Sequence, residues 1–206
     1  MNYKVISYFC DLDDSLYYKK CSVDLLKSLY KFNVEYDIKE IESLGSYKLN
    51  CTRKPKYILD MLEVVNRPLL WLDIDTVLLK SPKDFENLPP ETDVAISTSM
   101  SDLRGIKASP LFFNNTENAK NFLRRWIEAI DYNLKGDIEL FDHEPLFGIV
   151  NEFLPKIDIK FVGPDYCAWP GKETESTVMV MGLSDVDSKK ESLRKMGMTE
   201  DVIEWQ

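Results

Sequence analysis

The sequence predicts an α/β domain built on a parallel sheet. Three observations lead there. Short runs rich in β-branched and aromatic residues alternate with longer stretches of helical periodicity, the order of strand–helix–strand units. Leu69-Leu70-Trp71-Leu72 is apolar at every position, as a strand covered on both faces is. The 206 residues, 44% hydrophobic and 12% aromatic, suffice for one sizeable core, so a single domain over 1–206 is expected.

Taken in order, Tyr3 to Cys10 is rich in Val, Ile, Tyr and Phe and reads as the first strand, ended by Asp11-Leu12-Asp13-Asp14-Ser15. A helix follows from about Leu16 to Tyr30, with Val23, Leu26 and Tyr30 on one face and Leu25 and Leu29 beside them. Asn33 to Ile41 suits a second strand, and Gly45-Ser46 marks a loop. Thr52-Arg53-Lys54-Pro55-Lys56 leads into a helix with Pro55 in its first turn and Ile58, Met61, Leu62 and Val65 as its apolar stripe. Asn66-Arg67-Pro68 then turns the chain into the Leu69–Leu72 strand.

Beyond it, Ser81-Pro82 and Leu88-Pro89-Pro90 break the chain, and Asp93 to Ser97 reads as a short strand. Ser99 to Ser109 is polar and aperiodic, hence a loop, and Leu111-Phe112-Phe113 is the next strand. The clearest helix starts at Asn114-Asn115-Thr116, with Ala119, Phe122, Leu123, Trp126, Ile127 and Ile130 on one face; that aromatic stripe is core, not a binding platform. Asp137 to Val150 holds the only histidine, in Phe141-Asp142-His143-Glu144-Pro145-Leu146. Ile157 to Val162 is a strand, and Tyr166 to Gly171 is an aromatic loop that could wall a sugar or pack on the core. Thr177 to Met181 is a last strand, and Lys189 to Gln206 is expected to form a closing helix.

Composition excludes several functions. A net charge of −9, from 35 acidic and 26 basic residues, argues against nucleic acid or an anionic membrane as partner. Cys10, Cys21, Cys51 and Cys167 contain no Cys-x-x-Cys pair, so neither a zinc site nor a disulfide framework is expected. Without a signal-like N-terminus or a run approaching ~18 apolar residues, no membrane span and a cytoplasmic setting are expected, and the Asn50-Cys51-Thr52 and Asn114-Asn115-Thr116 sequons are incidental.

The chemistry concentrates after the central strand. Asp-x-Asp occurs as Asp11/Asp13, Asp73/Asp75 and Asp185/Asp187. In so acidic a chain most such pairs are solvated loop carboxylates, but acids placed straight after Leu-Leu-Trp-Leu need a reason to be there. If the segment stays extended, Asp73 and Asp75 share a face and Ile74 points into the core. Ligands of open α/β sheets bind beyond the carboxyl ends of strands, and two hard oxygens there suit Mg²⁺ or Mn²⁺ and, through it, a pyrophosphate. The basic residues at 53–56 are either solvated helix-start charges or, with the helix N–H groups, a second anion contact. Asp142, His143 and Glu144 form the remaining titratable cluster, of the kind that gathers at sites.

Arg67 to Val77, with its central Asp73-Ile74-Asp75, resembles the DxD segment of nucleotide-sugar glycosyltransferases of the GT-A (nucleotide-diphospho-sugar transferase) fold. The Lys54-Pro55 helix start, Leu111–Thr116 running into the helix with Trp126, and the Asp142-led segment agree with that family in the right order, over residues 3 to 165. In its small size the chain further resembles the glycosyltransferase domains that large algal viruses use on capsid protein, which implies the host cytoplasm as setting. The resemblance implies a mixed, mostly parallel sheet with helices on both faces, and transfer of a sugar from a nucleotide-sugar donor, most often a uridine one, to a glycan or glycoprotein acceptor. Asp73 and Asp75 would hold Mn²⁺ or Mg²⁺ and the donor's ribose-diphosphate, Tyr8 would sit near the base, and Arg53 and Lys54 would meet phosphate or ribose. Asp142 would lie by the transferred sugar with His143 and Glu144 close by. If the enzyme inverts, Asp142 or Glu144 is the candidate base; if it retains, no base is required there. Two departures stand out: Ala108-Ser109-Pro110 replaces the family's small Ser-Gly, and the last strand lacks the late His of the metal shell, for which Asp185 or water could substitute.

Two rivals remain at this level. Phe9-Cys10-Asp11-Leu12-Asp13-Asp14 resembles the nucleophile loop of haloacid-dehalogenase-like phosphohydrolases, with Asp11 as nucleophile and Asp13 as acid/base; Leu183 stands where that family's final motif has Asp after Gly. A non-catalytic nucleotide-binding or interaction domain is the third reading.

Overall fold

A computed structural model of the chain describes residues 2–11, 16–99, 105–136 and 142–182. The expected helix at 189–206, Asp13, Asp185 and Asp187 lie outside the described residues.

The main sheet has six strands: β1 (Lys4–Phe9), β2 (Tyr36–Glu40), β3 (Leu69–Trp71), β5 (Val94–Thr98), β6 (Ile106–Phe113) and β7 (Ile159–Val162), in the order β2-β1-β3-β6-β5-β7. The β1/β2, β1/β3 and β5/β7 pairings are parallel, while β6 runs antiparallel to both β3 and β5. Every strand but β6 therefore points the same way, which is the mixed, mostly parallel sheet that the resemblance implies; the antiparallel β6 is not foreseen by the strand–helix–strand order alone. A separate two-stranded ribbon pairs β4 (Val77–Leu78) with β8 (Met179–Val180).

Helices cover both faces. α1 (Tyr17–Lys31) lies on one side against β4; α2 (Tyr47–Thr52), α3 (Lys54–Val65), α4 (Glu117–Lys135) and α5 (His143–Phe153) form a chain of contacts on the other. The alternation of a strand explains why β3 is apolar throughout. Leu69 and Trp71 join the core with Leu62, Phe122 and Trp126, while Leu70 and Leu72 join the opposite core with Leu25 and Leu29. The α4 stripe is buried at Ala119, Phe122, Leu123, Trp126 and Ile130, and Thr116 caps its start by accepting from the Ala119 N–H at 3.2 Å.

Two expectations are corrected. α1 buries Ser22, Leu25, Ser28 and Leu29, leaving Val23 and Tyr30 exposed, so its inward face is rotated from the predicted one. The polar register wins because Ser22 and Ser28 satisfy themselves on the carbonyls of Lys19 and Leu25, and Ser28 Oγ also accepts from the Leu78 N–H at 3.1 Å. The expected loop at 99–109 is also partly strand: β6 begins at Ile106 and pairs with Thr98. Pro110 argues locally against a strand, and it falls in the stretch where the β5/β6 register shifts. The short α2, capped by Ser46 on the Leu49 N–H at 3.2 Å, lies where a loop and the start of the basic cluster are expected.

Candidate active site

β1 and β3 are adjacent and parallel, so their carboxyl ends open on one side of the sheet. A cavity lies there, lined among others by Tyr8, Lys54, Trp71, Asp73, Asp75 and Asp142. Four stretches distant in sequence thus meet at the location where open α/β sheets take ligands.

The acidic pair is held by backbone geometry. The strand stops at Trp71, and Asp73-Ile74-Asp75 is a turn closed by a hydrogen bond from the Thr76 N–H to the Asp73 carbonyl at 3.1 Å, not the extended segment the i, i+2 argument assumes. Both carboxylates nonetheless line the cavity. Ile74 is buried in the core beside Leu72 and also forms part of the cavity wall. The turn is pinned by Ser109, fully buried on β6, whose Oγ accepts from the Asp73 N–H at 2.8 Å. Trp71 Nε1 donates to Asp73 Oδ1 at 2.8 Å.

Lys54 is the centre of the charge arrangement. Lys54 is the first residue of α3, with Pro55 beside it in the first turn, and is 5% exposed. Its ammonium ion-pairs with Asp73 Oδ1 at 2.9 Å and with Asp142, and donates to the Ala108 carbonyl at 3.1 Å. It also lies 5.6 Å from the Trp71 ring centroid. Burial alone would lower the pKa of this ammonium; the Asp142 and Asp73 carboxylates outweigh it and hold it well above the ordinary lysine value, so it stays charged.

Asp142 reaches the cavity because α5 is anchored from the core. Trp126 of α4 donates its indole N–H to the Asp142 carbonyl at 2.9 Å, fixing where the helix begins. Asp142 is buried and faces Lys54. Successive helical residues turn by about 100°, so residues two apart face opposite ways. Accordingly Glu144 lines a different groove, between α4 and α5, and not the cavity. As an acid in the first turn it also complements the helix dipole. His143 is exposed, and its Nε2 is 2.6 Å from the Ile106 carbonyl, which makes Nε2 the protonated nitrogen. Arg53 does not line the cavity; its Nη1 donates to the Glu42 carbonyl at 2.5 Å. Tyr8 donates its hydroxyl to the Asn50 carbonyl at 2.6 Å and packs edge-on against Tyr57 at 5.0 Å, and burial pushes its phenol pKa up, so it remains a neutral wall. Cys51, also in the wall, is pushed up by burial to about 12 and is a neutral thiol. All four cysteines are free.

Sequence reasoning gives Ser109, Ala108 and Trp126 no role in holding the charged side chains. The first two fall in the stretch expected as a loop and are noticed only for standing where the resembling family has a small Ser-Gly. Trp126 reads as core, which it is, and its indole N–H gives no sign in the sequence of where it goes.

Asp11, the nucleophile of the phosphohydrolase reading, has another occupation. Its two oxygens accept from the Tyr18 and Lys19 N–H groups at 2.7 and 3.2 Å, capping the free end of α1.

No protein-family model and no curated protein matches this sequence. Solved structures do. The chain is similar to a glycosyltransferase involved in the glycosylation of the major capsid of PBCV-1, with a TM-score of 0.65 over 94% of this chain and 99% of that one, at 15% identity. It is similar also to the glycosyltransferase GlyE of Streptococcus pneumoniae TIGR4, in two crystal structures of which one is the apo form, with a TM-score of 0.59 at 16% identity. That match takes in 89% of this chain and 55% of GlyE. The chain shares the fold of these glycosyltransferases. Among the described residues no helix is long and apolar enough to cross a membrane.

Among the described residues no three His, Cys, Asp or Glu side chains come together as a ready-made metal cluster. Asp73 and Asp75 do present hard oxygen donors to one cavity, and the donors reaching Asp73 both use Oδ1. Such a set fits Mg²⁺ or Mn²⁺ provided phosphate oxygens and water complete the shell, as these cations accept.

Proposed function

We propose that the chain is a GT-A-type, metal-dependent glycosyltransferase that moves a sugar from a uridine nucleotide-sugar donor to a glycan or glycoprotein. One observation carries this reading: an acidic turn, a buried lysine and a third carboxylate converge on one cavity at the carboxyl ends of adjacent parallel strands. The shared fold supports it.

In the reaction the bond from the anomeric carbon to the donor's β-phosphate oxygen breaks, and a bond from that carbon to an acceptor oxygen forms. The acceptor hydroxyl loses its proton, and the nucleoside diphosphate leaves with added negative charge. Asp73 and Asp75 would hold Mn²⁺ or Mg²⁺, which when bound supplies Lewis-acid stabilisation of that charge. Tyr8 and Trp71 form an aromatic wall for the nucleotide. Lys54 orients the carboxylates of Asp73 and Asp142, so that the diphosphate end and the sugar end of the donor are set by one cation. Asp142 is the carboxylate facing the transferred sugar, and in an inverting reaction it is the proton acceptor; Glu144, turned to the other groove, is not.

The test is a calorimetric titration with UDP, with and without Mn²⁺, on the native protein and on Asp75→Ala. Binding that requires Mn²⁺ and is lost in the variant is expected. Equal UDP affinity in the two proteins, or none with Mn²⁺ in the native one, defeats the reading. Nothing described favours the phosphohydrolase: Asp11 is engaged as a helix cap, and loss of p-nitrophenyl phosphate hydrolysis in Asp11→Ala is the result that would revive it.

A further inference from the structure

The first four residues of β6 form a wall between two regions at the same end of the sheet. β6 runs opposite to β3, with Leu111 opposite Trp71, so Ile106 to Ser109 project beyond the carboxyl end of β3. On one side the Ala108 carbonyl and the Ser109 hydroxyl hold Lys54 and the acidic turn. On the other, the Lys107 ammonium lies 5.5 Å from the ring centroid of Trp169. Trp169 belongs to the loop after β7, a strand parallel to β5 and hence to β3, so this loop also emerges at the ligand-binding end.

The Trp169 loop is tightly held, yet Trp169 as a residue is only half-buried. Tyr166 and Cys167 pack inward, Ala168 bridges to Val180, and its carbonyl accepts from the Met181 N–H at 3.0 Å. The Trp169 carbonyl accepts from the Lys172 N–H at 2.9 Å, closing a turn over the buried Pro170. An aromatic ring fixed from behind and left partly open is a platform whose ordering cost is met in folding. Among the described residues Lys107 makes no salt bridge, although the chain is strongly acidic.

We propose that Trp169 and Lys107 form the acceptor-saccharide subsite. The indole would take the apolar C–H face of a sugar ring, and the ammonium would donate to its hydroxyl or ring oxygens. Neighbouring strands lie about 5 Å apart and β7 is three positions from β3, so the Trp169 loop starts about 15 Å from the tip of β3, a span that suits an acceptor of several sugars. The donor then occupies the β1/β3 half of the sheet end and the acceptor the β6/β5/β7 half, with the Ile106–Ser109 wall between them. This inference rests on the glycosyltransferase reading.

Saturation-transfer NMR with methyl glucoside, methyl galactoside and methyl xyloside tests it directly, without turnover. Transfer to at least one glycoside is expected in the native protein, kept in Trp169→Phe, weakened in Lys107→Ala and reduced about tenfold or more in Trp169→Ala. No transfer to any of the three in the native protein, or transfer unchanged in Trp169→Ala, overturns it. If Trp169→Ala does not fold by circular dichroism, Lys107→Ala decides, an unchanged signal counting against the subsite. The UDP titration run on the same native sample reports the donor half separately: glycoside binding without UDP binding defeats the transferase reading, and UDP binding without glycoside binding defeats only the subsite.

Discussion

Replacing Lys54 by Met tests the charge arrangement at the centre of the site. Met keeps most of the apolar stem, so the substitution removes the ammonium more than the packing. Two carboxylates then lose their cation: Asp142, whose side chain is 11% exposed, and Asp73, at 32%. Breaking a buried ion pair by removing one partner costs about 3–5 kcal/mol, and water reaching Asp73 puts this case near the lower end, at about 3 kcal/mol. For a chain of this size each kcal/mol lowers Tm by about 2–4 °C, so a drop of about 6–12 °C is expected. Adding Asp142→Asn removes the orphaned buried charge and should return about 1–2 kcal/mol, a coupling that a double-mutant cycle by urea denaturation reads directly. The pH dependence has a definite sign. Because the folded-state pKa of Lys54 is raised, its stabilisation is fully present below the unfolded value of 10.5 and fades only as pH climbs through the higher folded one. The gap between native and Lys54→Met protein should therefore stay constant from neutral pH up to the unfolded lysine value. A variant within about 0.5 kcal/mol of native, no coupling to Asp142, or a gap that closes between neutrality and 10.5 would refute the central ion cluster.

Three further outcomes are expected. Ser109→Ala leaves the Asp73 N–H without its acceptor, which should cost about 1–3 kcal/mol in urea denaturation and weaken UDP binding by loosening the acidic turn. Asp11→Ala uncaps α1 and should cost about 1 kcal/mol by thermal denaturation while leaving UDP affinity as it was, the opposite pattern to loss of a nucleophile. In sugar-transfer assays with a UDP-sugar donor whose product shows inversion, Asp142→Asn should abolish turnover and Glu144→Gln should retain it; the reverse would mean that α5 starts at a different rotation from the one described.

Much of the frame is legible from local pattern. Each run read as a strand became one, in the main sheet or, for Thr177–Met181, in the β4/β8 ribbon, and the 3.6-residue stripe through Trp126 became the buried face of α4. The same reasoning slipped where two signals competed. In α1, Val23 and Tyr30 outrank Ser22 and Ser28 on hydrophobicity, but the serines can satisfy their hydroxyls on the preceding turn and so can be buried cheaply. Near 106–110, Pro110 and a polar pair hide a strand whose pairing to Thr98 lies across a register shift.

By itself the sequence determines that two carboxylates follow a strand buried on both sides, because alternation and hydrophobic runs are local properties with fixed periods. Only the tertiary structure decides which partners join them. Lys54 and Asp142 enter because strand order and an indole hydrogen bond carry α3 and α5 to the tip of β3, whereas Glu144, two residues along the helix, is carried to another face. Such meetings depend on contacts between residues far apart in the chain, and no periodicity within a segment encodes them.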